Sequence, residues 1–282
     1  LVGSEMCIRD SSCGKTSGWN IDDLTKAGQF IRNHYRSRME NTAENNPEVK
    51  NLAPNITVSY KTHVQTFGWE NEVSNGKMAG TVGSAKRLEG ITIRVSGDSN
   101  LGIRYKTHVQ SYGWQDWKEN GVMSGTTGEA KRLEGIEIKL TNKPYSGGIS
   151  YTTHVQSYGW QGNVNNPSTW RSNGAMSGTS GEAKRLEAIC ITLTGKMAEH
   201  YDIYYRVHAQ TFGWLDWAKN GAPAGTAGYA KRLEGIQIVI VKKGEKIDEN
   251  KNGIKSVNKS AYIALSGTSP VVNSCLLYTS PS

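Results

Sequence analysis

Between Ile56 and Val241 apolar and polar residues alternate with a period of two, and no helical period appears. In one stretch Ile103, Tyr105, Thr107 and Val109 share a face, and Arg104, Lys106, His108 and Gln110 share the other. A second run, Leu133 to Leu140, puts Ile136, Ile138 and Leu140 on one face, with Gly135 marking a bulge or a close backbone approach. Such pairs of strands flank connections rich in Trp and Gly, so the block is predicted to be all-β. Upstream, Asn20 precedes an acidic first turn at Asp22 and Asp23 and an apolar face of Leu24, Ala27, Ile31 and Tyr35. This predicts a short N-terminal helix over residues 21–42, within a helical segment and linker spanning 12–50.

The alternation repeats on a longer scale. Tyr60-Lys-Thr-His63-Val-Gln65-Thr-Phe67-Gly68-Trp69 recurs at Tyr105–Trp114, Tyr151–Trp160 and Tyr205–Trp214. Each copy continues to a Gly-Thr-x-Gly turn, starting at Gly80, Gly125, Gly178 or Gly225, and to Lys-Arg-Leu-Glu, ending at Glu89, Glu134, Glu187 or Glu234. Four tandem repeats of about 45 residues therefore occupy 56–96, 101–141, 149–194 and 203–241. Copy three is longer through Gly162–Pro167, which reads as a lengthened surface loop. Residues 242–274 read as a polar linker and the start of a further segment. A single repeat buries too little surface to stand alone, so the copies are expected to share a sheet or core. Three of them suit a pseudo-threefold β-prism or β-trefoil-like closure, which leaves the fourth copy over; an open array is the alternative.

Composition adds three points. The 282 residues carry 33 Lys+Arg against 25 Asp+Glu, a net charge of +8, and no run approaches the roughly 20 apolar residues of a membrane helix. Eight Trp and thirteen Tyr against three Phe favour rings with a polar edge, suited to surfaces that meet water or sugars. Residues 1–11 and 275–282 look like translated sequencing adapter, because the reverse complement of one back-translation of Leu1–Asp10 encodes Cys275–Ser282 in another frame. Setting these ends aside leaves Cys13 and Cys190, too few for a disulfide framework. Cys190 aligns with Thr92, Glu137 and Gln237, so it is expected on the face that tolerates polar groups, free and dispensable.

The Tyr-x-x-His-Val-Gln-x-x-Gly-Trp start, the Asn-Gly and Gly-Thr-x-Gly turns and the Arg-Leu-Glu-x-Ile-x-Ile end resemble the clostridial hydrophobic repeat with its tryptophan, the ChW family. Copy four departs at Val207 and Ala209, and copy one has Glu72 where the others place Trp117, Trp170 and Trp217. The resemblance implies a secreted or cell-surface protein of Gram-positive anaerobes, in which such repeats accompany catalytic or adhesive modules. It leaves the ligand undefined.

The candidate ligand-binding residues are His63, His108, His154 and His208 with Gln65, Gln110, Gln156 and Gln210, because Trp, Gln, His and Glu together can hold a sugar by stacking and hydroxyl contacts. The first tryptophans, Trp69, Trp114, Trp160 and Trp214, read as core wedges, and the second-loop rings Trp117, Trp170 and Trp217 as exposed rings that stack on ligand. Each copy also carries a basic pair, Lys86-Arg87, Lys131-Arg132, Lys184-Arg185 and Lys231-Arg232, of which one member is expected to pair with the adjacent Glu. One His and one Glu per copy fall short of a metal ligand set, no phosphate loop or Ser/His/Asp set stands out, and the sparse basic pairs argue against nucleic acid. No cofactor is implied. The expected function is multivalent binding of a cell-wall or extracellular polysaccharide. The alternatives are the targeting tail of an exported hydrolase and an adhesin that binds a host or surface protein.

Overall fold

The computed structural model describes Gln29 and residues 53–84, 86–97, 100–248 and 256–266. The predicted helix over 21–42 lies outside these residues except for Gln29, which is helical; both adapter-like ends and Cys13 lie outside them altogether.

Each repeat contributes two long strands and several short ones between them, of which the last leaves for another repeat. Repeat one has β1 (Thr57–Val64), β2 (Ala79–Gly80) and β3 (Leu88–Ser96), and repeat two has β4 (Gly102–Val109), β5 (Ser124–Gly125) and β6 (Leu133–Thr141). Repeat three has β7 (Gly148–Val155), β8 (Ser177–Gly178) and β9 (Leu186–Thr194). Repeat four has β10 (Tyr201–Ala209), β11 (Ala224–Ala227) and β12 (Leu233–Lys242). The long strands of a repeat pair antiparallel, as the alternation predicted: Ile103, Tyr105 and Val109 are buried, while Arg104, Lys106 and Gln110 are only partly so.

This last short strand pairs with a different repeat. β5 lies on β3, β8 on β6, β11 on β9, and β2 returns across the whole sequence to β12. Every sheet is thus completed by its neighbour, and the four repeats form four blades of a propeller-like ring. The all-β class and the shared sheet are as expected, but closure takes four copies rather than the pseudo-threefold set. Each repeat has one donor strand and one acceptor edge, so the fourth copy is what brings donor β2 back to acceptor β12.

Two features seal every junction. One is a tyrosine hydroxyl that bridges backbones. Tyr105 accepts from the Ile93 N–H at 2.8 Å and donates to the Val122 carbonyl; Tyr151 and Tyr205 do the same with Ile138 and Ile191, and Tyr60 closes the ring on Ile238 at 2.9 Å. Burial pushes the Tyr105 and Tyr151 phenols up to about 12, so they stay protonated donors. The other is the first glycine of Gly-Thr-x-Gly. A Cβ on Gly125, at φ +121°, would sit 2.4 Å from the Glu89 carbonyl oxygen, and Gly80, Gly178 and Gly225 are equally confined.

After repeat four, Tyr262–Ala264 forms β13, parallel to β11, which accounts for part of the segment after residue 242. In the other copies a side chain fills that edge: Gln115 bonds both the N–H and the C=O of Gly125, and Gln161 does so at Gly178. Repeat four has Leu215 at this position, and the Gly225 N–H bonds the Ala261 carbonyl instead. No helix among the described residues is long and apolar enough to cross a membrane.

Gly125→Ala should cost on the order of 3–5 kcal/mol through clash and a disfavoured φ, and Tyr105→Phe about 1–3 kcal/mol by leaving the buried Ile93 N–H unpaired. Denaturant unfolding of both variants checks this; wild-type stability in Gly125→Ala would contradict the junction geometry.

Candidate functional site

The last long strand of every repeat bulges at its glutamate. His63 pairs with Gly90 and Val64 with Leu88, so Glu89 is the unmatched residue; Glu134, Glu187 and Glu234 repeat the pattern. A bulge re-aims its side chain, and here it sends a carboxylate into the blade. One oxygen meets the Nδ1 of His63, His108, His154 or His208 at 3.2–3.4 Å. The other meets the Nε of Arg87 (3.3 Å), Arg132 (3.5 Å) or Arg185 (3.0 Å), or the Nη2 of Arg232 (3.3 Å). A carboxylate this buried requires such partners. The arginine is therefore the member of each basic pair that binds Glu. The lysine leans toward its own turn, as Lys131 does on Ser111 and Lys184 on Ser157.

The four arginines meet at the ring axis. With Leu88, Leu133, Leu186 and Leu233 and with Ile91, Ile136, Ile189 and Ile236 they line a cup of about 250 Å³, joined by Gln65. At the same end, the turns after the first strands hold Phe67, Tyr112 and Tyr158 out of the fold at 58–61 % exposure, with Lys131 and Lys184 over the two tyrosine rings. Tyr112 and Tyr158 donate to Glu129 and Glu182. These tips stand at left-handed Thr66, Ser111 and Ser157, which fix the tight turn.

The structure separates the expected binding residues. The histidines are buried between glutamate and the edge of the first tryptophan, ring centroids 5.4–5.6 Å apart, so they organise the blade from inside. Trp69, Trp114 and Trp214 pack on Gly90, Gly135 and Gly235, but they are only half-buried and not the core wedges expected. Gln65, Gln110, Gln156 and Gln210 follow the bulged pairs and remain partly exposed at the cup end.

Two of the second-loop rings, Trp117 and Trp170, reach the next blade, at Gly174 and Gly221. Trp117 packs against Gly174 of the next repeat beneath Lys106 and Lys139, and Trp217 lies under Arg206. In copy one, which has Glu72, Arg94 covers Gly121 in place of a ring. The expected exposure fails outright at Trp170, which is 6 % exposed, bonds the Asn163 carbonyl and packs on Val164 and Cys190. Cys190 is free, as expected, and shares its face with polar residues, but that face is closed: Thr92 and Gln237 at the same position are buried too, and in copy three Val164 and Trp170 pack on the thiol. The arginine cup and the exposed tips were not identified from sequence. Their signals, the fourfold Arg-Leu-Glu-x-Ile and an aromatic before every Gly-Trp, were visible there.

Comparison with known families decides the identity. The description Clostridial hydrophobic W matches residues 63–97, 108–142, 154–195 and 208–242, one match in each blade. The chain belongs to the ChW family. No curated protein and no solved structure matches it. Four tandem ChW repeats make a repeat-based binding module, and here the repeats share one cup.

Two outcomes follow from this packing. Trp170→Ala should cost about 3–5 kcal/mol and Cys190→Ser about 1–3 kcal/mol in denaturant unfolding; a surface-like change below about 0.5 kcal/mol at Cys190 would contradict its burial.

Burial, helped by Lys259, also holds His208 below its ordinary value of 6.5, and burial raises Glu234 against the pull of Arg232. The unfolded chain then takes a proton that folded His208 resists, so this contribution is present above 6.5 and is lost as pH falls. Glu234 acts oppositely, adding stability as pH falls toward 4.5. Between pH 7.5 and 5.5 the melting temperature of the wild type should fall more than that of His208→Gln; equal slopes would contradict the assignment.

Proposed function

We propose that the cup end of the ring is the binding face of a secreted or cell-surface protein, and that its ligand is a cell-wall or extracellular polysaccharide. The observation that carries this reading is the set of rings held out of the fold at equivalent turns, Phe67, Tyr112 and Tyr158, around one polar-rimmed cup. Keeping large rings in water is costly, and a pyranose face covers them well. The glutamines supply hydroxyl contacts at the rim, while the buried histidines, with Trp117 and Trp170, hold the blades in place. Four copies then build one composite face instead of four separate sites, so affinity depends on ring geometry.

Retention on purified cell walls tests this. Stacking is worth about 1–3 kcal/mol per ring, so Phe67→Ser, Tyr112→Ser and Tyr158→Ser combined should weaken binding on the order of a hundredfold with little change in melting temperature. Unchanged retention would overturn the reading. Loss of binding to walls stripped of glycan, with protein left in place, is also expected; undiminished binding would favour a protein ligand.

A further inference from the structure

We infer that the axial cup is a single oxyanion site, built jointly by the four repeats, which takes one carboxylate or phosphate group carried on a compact body. This names the group the polymer presents, and to that extent it rests on the reading of this end as the binding face.

Charge comes first. Among the described residues that line the cup, four are arginines and none is a carboxylate; the polar remainder is Gln65 and Thr107. The glutamates that balance the arginines stand behind them, buried inside the blades. Arg87, Arg132 and Arg185 are therefore held from their outer side, and their side chains are still a quarter to a third exposed. Arg87, Arg132 and Arg185 meet glutamate through Nε, a geometry that leaves the forked Nη edge, the part suited to bidentate oxyanion contacts, for a ligand. The anchors are preorganised, so little side-chain freedom is lost on binding.

Size and lining restrict the ligand further. About 250 Å³ holds one small group rather than a length of chain. The leucine and isoleucine walls lower the local dielectric beside the arginines, which strengthens each charge contact and favours a ligand with an apolar or sugar-ring body behind its anion. The closed ring brings all four arginines together, so the expected stoichiometry is one per chain.

Titration calorimetry on the whole chain tests this with glucuronate, inorganic phosphate and glucose. At least one of the two anions should bind at one site per chain, at least tenfold more tightly than glucose, and should weaken as salt rises. Glucuronate alone identifies an acidic sugar as the source, and phosphate alone a phosphate-bearing polymer. Arg132→Gln should weaken binding at least tenfold, but it strips Glu134 of a partner and risks misfolding. Gln65→Glu leaves every arginine–glutamate pair intact, puts a negative charge in the wall, and should weaken the anion at least tenfold while the protein stays folded. No anion binding, four equal sites, glucose binding as tightly, or an unaffected Gln65→Glu would each overturn the inference. Cell-wall retention separates the two readings: anions that bind without wall retention defeat the polymer, and wall retention without anion binding defeats the cup.

Discussion

At each of four junctions a two-stranded repeat has an incomplete edge, and only its neighbour's Gly-Thr segment can complete it. The backbones approach so closely that Gly80, Gly125, Gly178 and Gly225 have no room for a Cβ, and a tyrosine hydroxyl from the incoming blade bonds the strand it meets. This contact is local at three junctions. At the fourth it joins Ala79 to Ile236 and turns a linear array into a ring. The fully buried Tyr60, Tyr105, Tyr151 and Tyr205 and the cup itself all depend on that ring being closed.

The bulged glutamate links the junction to the site. Its backbone carbonyl accepts from the neighbour's threonine, as Glu89 does from Thr126 and Glu134 from Thr179. Its side chain holds histidine on the inner side and arginine on the cup side. One residue per blade therefore ties strand exchange to arginine placement. Buried ion pairs of this kind stabilise a fold weakly, because desolvation offsets much of their attraction, but they fix geometry when every partner is present. The surface consequence is a face with positive charge at its centre and aromatic rings at its edge.

The strands, the repeat boundaries and the tight turns were legible because they rest on local rules. Period-two alternation gave the strands, and Asn-Gly gave turns in which Asn75, Asn120, Asn173 and Asn220 adopt positive φ. Gly135 was legible as a bulge or close-approach marker, and both descriptions hold: the bulge falls at Glu134, and a Cβ on Gly135 would crowd Thr179 and Trp114. Ring order was not legible, since a donor strand and an acceptor edge look alike whether they serve the next copy or the first. The burial of Cys190 was not legible because polar residues at its position suggested a solvated face, whereas Thr92 and Gln237 there are buried as well. The burial of Trp170 was not legible because it packs on Val164, from an insertion that only copy three has. The arginines were legible as charged, but their convergence on one axis is a property of the closed ring and of no single repeat.

The central claim is that four repeats close one ring through β2 on β12. Thermal melting of a chain lacking residues 53–97, followed by near-ultraviolet circular dichroism beside the full chain, tests it most directly. That deletion removes one donor strand and leaves β12 without its partner and Ile238 without the Tyr60 hydroxyl. The account predicts loss of the cooperative transition and of the native aromatic signal. A cooperative melt within a few degrees of the full chain would contradict it, showing that three repeats suffice or that the blades fold independently.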